Sequence, residues 1–329
     1  MRSSVHEEFV KSIRRAILDK DLTVMKIEKE KIVSIMSDIL FLGREAIYRR
    51  MRGEVKFSLE EATQVALKLN ISLDSLIGLQ DKGSPHIELN LIEPKTDFRA
   101  EYHAKLDEYT SLFNTIVQKY DDVTIISAFN KLPYILYLHH ENIAKFRLFK
   151  WAYQMNLLKD VSFKEMEMPR GVVRSQNNFI TEIRQMKQTS VVLNSNVFQS
   201  FVQDVNYFRD LNLLDDEDVV ALKNELRLLL SEMENYAISG MFNSLSSVKL
   251  YISELELDSS YMLFKFGKHT YSHINVYDLG GIESQSPKLS EYHVMWINSL
   301  KRYSKLITQS NEIERHRFFR EQKACIDQN

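Results

Sequence analysis

The stretch Leu42–Phe57 gathers groups suited to an anionic partner. It holds five basic side chains, Arg44, Arg49, Arg50, Arg52 and Lys56, against two acidic ones, Glu45 and Glu54. The local charge is +3, in a chain whose formal net charge is −2. A guanidinium can donate two parallel hydrogen bonds to guanine O6 and N7, and a carboxylate such as that of Glu45 can accept from cytosine N4. Arg and Lys also neutralise phosphates, which positions a partner without reading its sequence. Read as a helix, this segment is anchored by Ile47 and Met51, four residues apart, leaving Arg44, Glu45, Tyr48, Arg49 and Arg52 facing outward. Residues 1–80 carry +2 and the remainder −4, so nucleic-acid binding would rest on a local patch rather than on a global field.

Other chemistry is poorly represented. The chain has no Gly-rich phosphate loop, no His-Glu-x-x-His and no Gly-x-Ser-x-Gly, so no catalytic residue is assigned and no enzymatic activity or cofactor is expected. His139-His140-Glu141 falls in a helix-rich stretch, where adjacent histidines should point to different faces and not share a metal. His269 and His273 would share one face of a strand, with His293 as a further candidate, but nothing fixes a third ligand; no metal is expected. Cys325 is the single cysteine, which excludes an intramolecular disulfide and suits a reducing compartment. The opening Met1–Glu8 lacks the apolar core of a signal peptide, and no run reaches the roughly 18 apolar residues of a membrane span. A soluble, cytoplasmic protein without membrane contact is expected.

The basic segment must be held by helices, and their signals are clear. Ser4 and Glu7 have capping-box spacing, followed by Val5, Phe9, Ile13 and Ile17 on one face. A second helix is expected from about Glu28 to Leu40, with Ile32, Ile35, Met36 and Ile39 on one side. A third spans about Arg44 to Arg52 and stops at Gly53. Ser58-Leu59-Glu60-Glu61 is another capping box, opening a helix with Leu59, Ala62, Val65, Ala66 and Leu69 inward and Asn70 as terminator. Ile71–Gly78 completes a bundle of five helices.

Within this frame, Phe41–Glu54, followed by Phe57–Ala62 and Leu69–Leu76, resembles the lambda-repressor-like helix-turn-helix family. The resemblance covers about a quarter of the chain and is strongest over Gly43–Leu76. It implies that the third helix enters the major groove of double-stranded DNA by its N-terminal end. Arg44, Glu45 and Tyr48 would then lie nearest base edges with Arg49 close behind, and Arg52 and Lys56 would contact phosphates. Two positions depart from the family pattern. Phe41 stands where Gly is usual in the turn, and Phe in a left-handed conformation costs about 1–2 kcal/mol, so a different turn geometry is expected there. Gly43 stands where a Ser usually caps the helix, an exchange worth only a few tenths of a kcal/mol.

Beyond residue 80 the reading is coarser. Asp81–Pro85 and Pro94 mark residues 81–97 as a linker between a DNA-binding domain, 1–80, and a region 98–329. Helices are expected at Phe98–Tyr120, Pro133–Met155, Arg170–Lys187, Val197–Leu211 and Asp216–Ile238. Tyr251–Leu257, Tyr261–Phe266 and Tyr271–Tyr277 alternate with period two and suggest a three-stranded antiparallel meander. Gly280-Gly281 and Pro287 punctuate the return to a last helix reaching towards Ile326. The fold class is therefore mainly α, with a small α+β part at the C-terminal end. Tyr251, Phe264, Phe266, Tyr271 and Tyr277 could form sheet core or line a sensor-like cavity, and the helical aromatics at 132–137 and 146–153 could form core, a dimer interface or a pocket.

These readings point to a transcriptional regulator binding double-stranded DNA, with homodimerisation expected because one such helix reads only a half-site. An unidentified small-molecule effector is a candidate partner. Self-cleavage, which needs a Ser/Lys pair in a mostly β domain, does not fit the helices expected over 98–240. An interaction protein tethered by its helix-turn-helix, or an enzyme carried on a DNA-binding domain, are the alternatives.

Overall fold

The computed structural model describes residues 4–18, 25–69, 71, 73, 87–94 and 97–328. The chain divides into two compact units, Met1–His86 and Ile87–Asn329.

In the first unit, four helices are seen among the described residues: α1 (Val5–Leu18), α2 (Met25–Leu40), α3 (Arg44–Met51) and α4 (Leu59–Leu69). Of the expected fifth helix, Ile71–Gly78, only residues 71 and 73 are described; Asn70, expected to end the fourth helix, and residues 81–86, 95 and 96 of the expected linker lie outside the described residues. Phe9, Ile13 and Ile17 from α1 meet Ile32, Val33, Met36 and Leu40 from α2, Ile47 from α3 and Val65 from α4 in one apolar core. Two inward expectations fail. Val5 and Leu59 sit at the first positions of α1 and α4 and are exposed, Leu59 by 80%, because the first turn projects beyond the packed stripe.

Both capping boxes form. Ser4 and Glu7 exchange backbone N–H groups at 3.3 and 3.0 Å, and Ser58 and Glu61 do so at 3.1 and 3.0 Å. After α3 the chain reverses at Gly53, whose φ of +79° favours glycine. The loop beyond is pinned by His6, which bonds the Arg50 carbonyl at 2.9 Å and stacks on Phe57.

The second unit overturns the mainly α expectation. It is built on a nine-stranded mixed sheet of order β1-β8-β7-β6-β2-β3-β5-β4, with β9 also paired to β5. The strands are β1 (Glu88–Asn90), β2 (Thr124–Phe129), β3 (Gln188–Asn194), β4 (Met241–Asn243), β5 (Ser246–Ser253), β6 (Tyr261–Phe266), β7 (His269–Val276), β8 (Gly280–Ser284) and β9 (Ser304–Leu306). The helices are α5 (Phe98–Lys119), α6 (Tyr134–Tyr137), α7 (Glu141–Gln154), α8 (Arg170–Ile183), α9 (Gln199–Asp210), α10 (Asp216–Ser239), α11 (Pro287–Arg302) and α12 (Glu312–Asp327).

The centre, β2-β3-β5, is parallel, so its connections must cross over through helices: α6 to α8 between β2 and β3, α9 and α10 between β3 and β5. One sheet face packs with α5 to α10 and α12 in the main core. On the other, Ala128, Val192 and Leu257 meet Ile297 and Leu300 of α11. Strands covered on both sides lose the in–out alternation that marks a half-exposed strand. β3 is accordingly buried from Thr189 to Asn194.

The expected meander is likewise shifted by one strand. It consists of β6, β7 and β8, whereas β5 pairs with β3, β4 and β9. Gly280 and Gly281, expected as punctuation, lie inside β8. A Cβ on Gly281 would come within 2.2 Å of the His273 ring, so glycine is what lets that side chain lie across the strand. The expected helix Pro133–Met155 breaks into α6 and α7, and the last helix breaks at β9. Glu88–Asn90, inside the stretch read as linker, pairs antiparallel with β8.

Two substitutions test the first unit. Ser58→Ala removes the acceptor at the α4 N-terminus and should cost about 0.5–2 kcal/mol, read as faster amide exchange in α4; unchanged protection would remove the cap from the account. Phe41, with φ of +53°, takes the left-handed conformation despite that cost, so the expected departure in turn geometry is not seen at this residue. Phe41→Gly relieves about 1–2 kcal/mol of that strain and loosens the unfolded chain by about 0.4–1 kcal/mol. The melting temperature of the first unit should therefore hold or rise; a clear fall would mean that the ring contributes packing.

Candidate nucleic-acid interface

The α2–turn–α3 corner is the helix-turn-helix of the first unit, with Phe41, Leu42 and Gly43 as its three turn residues. Gly43 caps α3 with an extended backbone and no side-chain bond, and its carbonyl accepts from Ile47 at 3.2 Å. Ile47 is fully buried, and Met51 and Tyr48 pack partly against the core. That seating leaves Arg44, Glu45, Arg49, Arg52 and Lys56 exposed. Phe41, 91% exposed, stands at the turn leading into them.

The basic residues divide into three groups. Arg50 turns inward: its Nε and Nη2 bond both Glu61 oxygens at 3.0 and 2.7 Å, and its Nη1 bonds the Ala46 carbonyl. The Arg50 guanidinium, with the Ser58 backbone N–H, holds the Glu61 carboxyl below its ordinary value despite burial. The same carboxylate completes the α4 cap, so Arg50 braces α3 against α4. Arg49 and Arg52 share surface ion pairs. Arg52 reaches Glu45 and Glu54, both at 3.2 Å, and Arg49 lies 3.7 Å from Glu54. Arg44 and Lys56 have no ion-pair partner among the described residues. Helical spacing already leaves Arg50 off the outward face; its partner Glu61 is what the α4 packing supplies.

The second unit holds a cavity of about 100 Å³ on the sheet face opposite α11. Phe113, Phe129, Phe179 and Phe264 form its apolar walls, and Lys105, Lys131, Arg147 and Asp278 supply charge. Of the aromatics considered for a pocket, Tyr134, Tyr137, Phe264 and Tyr271 line it. Phe266 packs beside Tyr120 and His269, Tyr251 lies against the α11 face, and Tyr277 is 73% exposed.

Behind the cavity, Tyr109 donates a short hydrogen bond to Glu283, and His273 Nδ1 lies 3.2 Å from the same carboxylate. Burial by itself would raise the Glu283 pKa. Hydrogen bonds from His273, Tyr109 and Tyr271, with the His273 charge, outweigh it and hold the group at about 2.

The histidines are arranged differently from the expectation. His139 and His140 do not face apart: their rings lie 4.2 Å apart, and their Nε2 atoms are 2.9 and 3.5 Å from one Glu232 oxygen. His140 is the extended cap before α7, so helical geometry does not separate the pair. Although these three could meet one ion, Arg184 Nη2 lies 3.4 Å from His139 Nδ1. An N–H donor there places the ring proton on Nε2, facing Glu232, and brings a second cation beside the cluster. Of the others, His273 faces the cavity, His269 packs on Tyr120 and Phe266, and His293 packs on Tyr261 at the α11 face.

Residues 10–101 match the BetR domain family, a helix-turn-helix-type DNA-binding domain family. The match takes in α2 to α4, most of α1, β1 and the first residues of α5. No curated protein and no solved structure matches the chain. No helix among the described residues is long and apolar enough to cross a membrane.

The Glu283 arrangement has a pH signature. A carboxylate depressed below its unfolded value, about 4.3, contributes stability that is complete above that value and is lost as pH falls through the folded one. Stability of the second unit should therefore decline between about pH 4.3 and about 2, and Glu283→Gln should make that decline shallower. Denaturant unfolding at pH 7, 4 and 3 measures it; equal slopes for both proteins would refute the assignment.

Proposed function

We propose that this chain is a sequence-specific transcriptional regulator of double-stranded DNA, with α3 as its recognition helix. The observation that carries this reading is the exposed row of Arg44, Glu45, Arg49 and Arg52 on a helix whose other face is locked by Ile47 and by Arg50 on Glu61. The BetR-domain match supports the DNA-binding part. The resemblance to the lambda-repressor-like family supplies the finer docking: the N-terminal end of α3 enters the major groove, with Arg44, Glu45 and Tyr48 nearest base edges, Arg49 close behind, and Arg52 and Lys56 at phosphates.

Arg44 is free of competing carboxylates among the described residues and can make the bidentate guanine contact. Arg52 must leave Glu45 and Glu54 to take a phosphate, but exposed ion pairs are worth only about 0–1 kcal/mol. That exchange also frees Glu45 to accept from cytosine. One short helix reads a half-site, so the regulator acts as a homodimer. The second unit serves dimerisation and effector sensing rather than catalysis.

Binding isotherms at several salt concentrations, on a selected cognate site and its single-base variants, test this. Arg44→Ala should cost about 1–3 kcal/mol on the cognate site and relax preference at one base pair. Lys56→Ala and Arg52→Ala should weaken all sites alike and lower the salt slope by about one each. If Arg44→Ala weakened every site equally while Arg52→Ala erased base preference, the helix would be docked in reverse. If none of the three changed binding, α3 would not be the reading element.

A further inference from the structure

The cavity of the second unit combines an apolar interior with an excess of positive charge. Phe113, Phe129, Phe179 and Phe264 wall it, and among the charged side chains lining it Lys105, Lys131 and Arg147 face a single carboxylate, Asp278. Glu283 stands behind the lining, where Tyr109 and His273 meet its charge.

Arg147 projects from α7, a helix buried from Ile143 to Ala152 apart from Lys145. The Arg147–Asp278 pair is almost fully buried, with side chains 7% and 6% exposed. Burying both charges is costly unless every donor and acceptor is satisfied. Arg147 Nε and Asp278 Oδ2 have no hydrogen-bond partner among the described residues.

The turn that delivers Asp278 is itself strained: Tyr277 and Asp278 have φ of +49° and +70° in succession. Arg147 and a 3.1 Å bond from Asn275 Nδ2 to the Asp278 carbonyl hold it. At the solvent end, Lys131 is half exposed and lies 3.7 Å from Asp278, while Lys105 is paired with the exposed Glu108.

We propose that this cavity is a binding site for a small monocarboxylate with an apolar body of about one ring or a short acyl chain. The aromatic walls take the body, and the carboxylate meets the half-exposed Lys131 at the solvent end, beside the Asp278 oxygen that Lys131 and Arg147 already share. An apolar cavity of about 150 Å³ admits benzene, and this one, at about 100 Å³, is smaller, so a single ring with the head group at its open end is the upper limit. Larger polyanions exceed the cavity volume of about 100 Å³. The regulatory consequence rests on the proposed function, whereas the binding step does not, and its test contains no DNA.

The test is calorimetric titration of the full chain with benzoate and hexanoate, their primary amides, and benzylamine. Each carboxylate should bind at least tenfold more tightly than its amide. Lys131→Gln should reduce that preference at least fivefold while leaving amide binding and the circular-dichroism spectrum unchanged; this residue is half exposed, so the variant is expected to fold. Four results overturn the proposal: no carboxylate binding at millimolar concentration, equal binding of acid and amide, an unchanged preference in Lys131→Gln, or tighter binding of benzylamine. The last would assign Asp278 Oδ2, rather than the cations, to the ligand.

Discussion

The parallel pairing of β2, β3 and β5, with β3 buried on both faces along almost its whole length, constrains everything else in the second unit. β2, β3 and β5 run side by side in one direction, so each connection has to climb over the sheet as helix, and the helices in turn need apolar strand faces to pack on. α7 shows how far this goes. It is enclosed so completely that its two buried basic residues, Arg147 and Lys150, must find carboxylates at Asp278 and Asp204. The buried charge at the end of the aromatic cavity is thus a product of the layer architecture.

The first unit obeys a smaller constraint of the same kind. A helix of eight residues, α3, has too few turns to be stable alone, and only Ile47 among its residues is fully buried. Its orientation is fixed by a polar brace: Arg50 grips Glu61, and Glu61 closes the cap at Ser58. The inward-turned arginine separates what holds the helix from what the helix presents. Phe41 at the α2–α3 turn and Tyr277-Asp278 at the β7–β8 turn are among the residues that adopt left-handed backbone, and they lie beside the two candidate sites.

Much of the first unit could be read without coordinates because its signals are local. Capping boxes at Ser4 and Ser58, the stop at Gly53 and the apolar stripe of α1 depend on residues three or four apart. The inward assignment of Leu59 failed because periodicity specifies a face but not where packing along that face begins. Helices α5, α9 and α10 were legible for the same local reason.

The sequence by itself determined the helix-turn-helix, its exposed cations and the helical character of long segments, since these follow from short-range periodicity and capping. Only the tertiary structure decided the sheet. β2 and β3 pair with strands more than fifty residues distant, and double-sided burial erases the alternation that would announce them. It also decided which arginine is a brace, that His139 and His140 converge on Glu232, and that Arg147 and Asp278, 131 positions apart, meet beside an aromatic cavity. Each of these depends on a partner brought near by chain topology, and no local pattern encodes that partner.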